Sequence, residues 1–179
     1  MQYRFMVATR APEPAKWTSR TLSNGARRIF KCRPRACAAP DTVTFTFQTR
    51  SPKPPDPKAL EKFATVGLPK AIRAVAVART VMTGIVERIE TLYSKTTTLK
   101  NYPAALNETK FTRHGTDSVY LKTGVIFAGP LIIHVDARSP NRRLASQSFN
   151  DFVDVMQIVE TQLPPRKPFV PQTPKTQSL

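Results

Sequence analysis

Residues 1–40 place the strongest constraint on what this chain can fold into. Nine arginines and lysines stand there against one acid, Glu13. Prolines at positions 12, 14, 34 and 40 rule out a long helix across the same stretch. Cationic, acid-poor segments of this kind serve as organellar import signals or as extensions that neutralise polyphosphate. We therefore expect residues 1–40 to form an extended basic arm and a candidate mitochondrial targeting signal. Residues 164–179, PPRKPFVPQTPKTQSL, hold five prolines and cannot build a helix or a central strand, so a second extended arm is expected. Residues 41–163 remain as the core domain.

Charge narrows the partner. The chain has 28 Lys and Arg against 12 Asp and Glu, a formal net charge of +16. Self-repulsion of that size is relieved by a polyanion, with RNA or DNA as the first expectation and anionic lipid or an acidic protein behind it. The longest apolar run, 125–135, is broken by Gly129, Pro130 and His134, which is too short for a membrane helix. The N-terminus also lacks the apolar core of a secretory signal. Cys32 and Cys37 are the only cysteines. Their C-x4-C spacing is half of a zinc site at most, so two reduced thiols are expected, with a metal site completed by another chain left open.

Within the core, VTFTFQT (43–49) alternates apolar and polar residues and predicts a strand. Ala71, Val75, Ala78, Met82 and Ile85 form one stripe of a helix starting at Lys70. Ser146 to Leu163 predicts a second helix, with Ser148 as N-cap and an apolar stripe from Phe149 to Leu163. Acids on that helix, Asp151, Asp154 and Glu160, point it away from phosphate and toward protein. Residues 87–99, 119–121 and 125–135 favour strand, while the polar stretch 101–116 reads as a loop. The expected fold is α+β: a small mixed sheet packed by two helices, with extended basic Pro-rich N- and C-terminal arms.

Signals for catalysis are thin. His114 and His134 are the only histidines, and neither an H-E-x-x-H motif nor a Gly-rich phosphate loop is present. No enzymatic activity, metal or cofactor is expected. Basic clusters carry the stronger signal: Arg20, Arg27, Arg28, Lys31, Arg33 and Arg35 first, then Arg138, Arg142 and Arg143, then Arg166 and Lys167. Tyr3, Phe5, Trp17 and Phe30 are interleaved with the first cluster, where they would stack on unpaired bases or insert into protein pockets.

The segment VGLPKAIRAVAVARTVM (66–82) resembles the turn and helix of Alba-type nucleic-acid-binding proteins, in which a basic Ala-Ile turn opens a helix of small apolar residues. The resemblance implies that Lys70 and Arg73 lie near a nucleic-acid face. Taken together, these features predict a structural RNA-binding protein of a large organellar ribonucleoprotein, with a mitochondrial ribosome, its rRNA and its neighbouring proteins as the setting. The alternative is a non-catalytic accessory subunit of a mitochondrial respiratory or ATP-synthase complex. No integral membrane insertion is expected in either.

Overall fold

The computed structural model describes residues 2–50, 55–83, 87–113 and 117–163. Strand alternation organises it. In β4 (Thr42–Thr49), Val43 and Phe45 turn to one side and are wholly buried, while Thr42, Thr44 and Thr46 turn to the other. The same two-residue period in β8 (Leu131–Ser139) buries Ile133, Val135 and Ala137 beside them. Around this pair grows a seven-stranded antiparallel sheet that also contains β2 (Trp17–Leu22), β3 (Arg27–Cys32), β5 (Glu87–Leu99), β6 (Tyr102–Arg113) and β7 (Asp117–Ala128). The spatial order is β2-β3-β4-β8-β7-β6-β5. A separate two-stranded sheet pairs β1 (Gln2–Ala8) with β9 (Gln157–Leu163), the first and last described elements.

These strands correct the expected fold class. The molecule is mostly β, and its sheet is large and antiparallel rather than small and mixed. The stretch expected as an N-terminal arm supplies three strands, β1, β2 and β3. Strand geometry reconciles its charge with folding, because alternate residues leave the core. Trp17 and Phe30 turn inward, at 9% and 2% exposure, while Arg20, Arg27 and Lys31 turn out. The expected loop 101–116 is mostly β6, entered through a two-residue turn at Lys100 and Asn101, both at positive φ. Every residue from Ala104 to Thr109 is buried. The C-terminal stretch 164–179 lies outside the described residues, as do Ile85 and His114.

Helix α3 (Arg142–Val155) packs flush on one face of the sheet. Its N-cap is Asn141, whose side chain accepts from Leu144 N at 3.1 Å. Ser148, expected in that role, lies inside the helix instead and donates to the buried Asp41 carboxylate at 2.8 Å. The helix stops at Val155, Met156 turns extended and fully buried, and the rest of the expected helix becomes β9. Phe152 sits at the centre, with ring centroids 4.8 Å from both Trp17 and Phe30. We call this side of the sheet the α3 face.

The opposite face is covered only in part. A short helix, α1 (Pro57–Lys62), runs through a π-helical turn (Phe63–Gly67) into α2 (Leu68–Thr83). Leu60, Ala64 and Leu68 bury Ala105 of β6 and Val125 of β7, with Ile72 packed beside them. The Ser94 hydroxyl of β5 donates to the Ala64 carbonyl and ties this layer down. Only Leu68, Ile72 and Ala76 bring apolar side chains of α2 inward, so α2 rests on the sheet along a narrow line. The expected stripe of Ala71, Val75, Ala78 and Met82 is on the outer side of the helix, exposed. Among the described residues no helix is long and apolar enough to cross a membrane.

Candidate nucleic-acid interface

The α1–α2 layer lies over β5, β6, β7 and Ile132 at the start of β8, and among the described residues no helix packs on the same face of β2, β3, β4 and the rest of β8. Strand register fixes what that open half carries. One row across the sheet runs Thr18, Lys31, Thr42, Arg138; the next runs Arg20, Ile29, Thr44, Asp136; the third runs Leu22, Arg27, Thr46, His134. Neighbouring strands are about 4.8 Å apart, and residues two apart on a strand about 7 Å. Arg27 and Lys31 are therefore spread over about 14 Å along β3, with Arg20 on the neighbouring edge strand and Arg138 two strands from Lys31. Arg20, Arg27 and Lys31 are exposed and Arg138 is half-buried. Four cations thus share one face with Thr18, Thr42 and Thr46, while Thr44 between them is buried.

Asp136 is the one acid in these four strands. Its carboxylate accepts from the Thr123 hydroxyl at 2.7 Å. Burial raises its pKa, against the pull of Thr123, His134 and Arg27. His134 is moved the other way: burial lowers its pKa, and Asp136 offsets part of that. Neutral His134 and the tied-up Asp136 leave the outward field of this half positive.

Sequence-predicted cations divide between this surface and other places. Arg20, Arg27, Lys31 and Arg138 are brought together. Arg33 and Arg35 follow directly from β3 in an exposed loop, which the Cys32–Cys37 disulfide closes. The cysteines, expected as reduced thiols, are bonded to each other, and no cluster of three or more metal-ligating side chains occurs among the described residues. Arg28 turns to the α3 face, donates to the Thr9 carbonyl at 2.7 Å and lies over the Phe30 ring. Arg142 pairs with the buried Glu108 of β6, and Arg143 is exposed in the first turn of α3. Lys70 and Arg73 are exposed on α2, and Arg166 and Lys167 lie outside the described residues.

Three of the aromatic residues expected either to stack on bases or to insert into protein pockets are turned into the protein. Trp17 and Phe30 are core residues, and Phe5 packs where a Gly129 side chain would stand. Thr18, Thr42, Thr44 and Thr46, along with His134, join the site without having been singled out for it. The alternation in TVTFTFQT carried that signal: if the phenylalanines are core, the threonines are the opposite surface.

A second charged cluster sits where Glu108 meets Arg142. Lys122 of β7 is 8% exposed, its Nζ is 3.3 Å from Asn150 Oδ1 and 5.0 Å from the Phe149 ring centroid. Burial lowers the Lys122 pKa, while neighbouring Glu108 raises it. Tyr93 opposite is raised by burial and by Glu108. The charges here are largely turned on one another, so we read this cluster as part of how α3 seats on β6 and β7.

No family model and no curated protein matches the chain. Solved structures do match it, at the level of fold. Cyanobacterial PsbP (CyanoP) from Synechocystis is 8% identical, with a TM-score of 0.60 over 87% of this chain and 92% of that one. LpqN of Mycobacterium tuberculosis, described as involved in cell envelope biogenesis, is 14% identical, with a TM-score of 0.54 over 87% and 84%. The Saccharomyces cerevisiae Ran-binding protein Mog1p is 9% identical, with a TM-score of 0.50 over 88% and 95%. These neighbours overturn the resemblance to Alba-type proteins, whose motif rested on the α2 segment alone. In architecture the chain is similar to PsbP-like and Mog1p-like proteins.

Proposed function

We propose that the chain is a structural RNA-binding protein that holds a phosphate backbone against the open half of its sheet. The observation that carries this reading is the grouping of Arg20, Arg27, Lys31 and Arg138 beside threonines on a part of the sheet that none of the described helices packs against. Cations neutralise phosphates and release counterions, while hydroxyl groups donate to phosphate oxygens. The loop bearing Arg33 and Arg35 extends the same charge past the end of β3. No catalytic step is part of the proposal. We assign no particular particle to it: the face meets a phosphate chain whichever ribonucleoprotein holds it.

Binding of a labelled single-stranded RNA to the purified chain tests the reading. Arg27→Glu with Lys31→Glu should weaken binding by about tenfold or more, each reversal removing one phosphate contact and adding repulsion. Unchanged affinity in that variant contradicts the proposal. An accessory role in a respiratory or ATP-synthase complex predicts instead that cardiolipin-containing vesicles bind through these residues and RNA does not.

A further inference from the structure

Helix α2 carries apolar residues on the side turned away from the sheet as well as on the side that meets it. The sheet accounts for one side only. On the outer side Val75 is 64% exposed, Val77 54%, Val81 81% and Met82 81%, with Ala71, Ala74 and Ala78 between them. This is a continuous surface of large apolar side chains separated by small ones, not a scatter of single residues.

We propose that this face of α2 binds α2 of a second copy of the chain, antiparallel, across a two-fold axis. Two features of the helix select that occupant. The first is shape. With the axis between Ala76 and Val77, Ala71 of one copy lies opposite Met82 of the other, and Val75 lies opposite Ala78. Met82 and Val75 then each meet an alanine, and the alanines let the helices approach closely.

The second is charge. The outward cations of α2, Lys70 and Arg73, are confined to its first half, and α2 has no acid. No basic residue occupies its last turn, where the carbonyl ends carry partial negative charge. Antiparallel pairing carries Lys70 and Arg73 of each copy to that end of the other. Parallel pairing would set like charges side by side, and a partner helix with cations throughout would be repelled. The surface is self-complementary in one orientation, as a two-fold contact requires. Because α2 covers β5 to β7, the pairing leaves the cationic half of the sheet accessible, and the proposal does not depend on RNA binding.

Sedimentation equilibrium on the nuclease-treated full chain, at salt high enough to remove bound polyanion, tests it. The expected species has twice the 20.0 kDa chain mass. Ala78→Glu and Met82→Lys, both at exposed positions, should each weaken the dimer by about tenfold or more with unchanged circular dichroism and melting. Lys70→Glu should weaken it too, by setting a carboxylate on the negative helix end. A monomeric wild type overturns the proposal, as does a dimer indifferent to Ala78→Glu. Strengthening by Lys70→Glu overturns the antiparallel arrangement. A monomer that binds an acidic amphipathic peptide through Val75 and Met82 assigns the face to another protein and overturns it as well.

Discussion

The two faces of the seven-stranded sheet use one repeating backbone for opposite purposes. On the α3 face, Phe30, Phe45, Ile133 and Val135 meet Phe149 and Phe152 in a buried apolar layer. On the other face of β2, β3, β4 and β8, Thr18, Arg20, Arg27 and Lys31 are exposed, Thr42, Thr46, His134, Asp136 and Arg138 are half-buried, and Thr44 is buried between them. Strand alternation allows a chain of net charge +16 to hold a core at all, since cations one residue from a phenylalanine point away from it. Stability is thereby concentrated on one side and ligand recognition on the other. The two properties should separate by mutation.

Phe152→Ala should break the comparison hardest. Its ring is fully buried between Trp17, Phe30 and Phe45, so truncation should cost about 3–5 kcal/mol in chemical denaturation. Gly124→Val comes next. A Cβ there would stand 2.6 Å from Phe149 Cζ and 3.4 Å from Leu106, so α3 or β6 must shift, at about 1–3 kcal/mol. A variant as stable as wild type would show that α3 is seated more loosely than described. On the open face, Arg27→Ala should change stability by no more than about 0.5 kcal/mol while weakening RNA binding. Loss of folding in that variant would mean the face is structural.

The smallest effect expected is in pH dependence. Burial holds the His134 pKa below its ordinary 6.5, so the unfolded chain takes up the proton more readily than the folded one. Its contribution is fully present above about pH 6.5 and is lost as pH falls through that value toward the folded pKa. Asp136 is shifted upward from 3.8 by burial and acts in the opposite sense as pH rises above that value. A stability profile between about pH 7 and pH 5.5 should therefore slope downward toward acid, and His134→Gln should flatten it.

How much of this was legible in the sequence depended on which residues carried the period. VTFTFQT showed both its strand and its two surfaces, because each apolar residue alternates with a polar one. In WTSRTL and RRIFKC the inward set is only Trp17, Phe30 and Cys32 with Ser19, Thr21 and Arg28 among them, so charge concealed the strands. Residues 101–116 looked like a loop because Asn107, Glu108, Thr109 and Lys110 are polar. Three of them are buried all the same, Thr109 bonded to Asn107 at 2.6 Å and Glu108 paired with Arg142. Helix α2 could be read as a helix, but periodicity cannot tell which of two apolar sides meets the sheet, and the longer stripe proved to be the outer one. The cations were visible one by one. Their grouping required β2, β3, β4 and β8 to be set side by side, and β8 follows β4 by some eighty residues.

The salt dependence of RNA affinity tests the central claim most directly. For single-stranded RNA, the slope of log affinity against log salt is about −0.7 for each phosphate neutralised. Replacing Arg20, Arg27 and Lys31 together by alanine should make that slope shallower by about 2, with the melting transition of the protein unchanged. A triple variant that keeps the wild-type slope would contradict the account, since the phosphates would then be held somewhere other than the open face of the sheet.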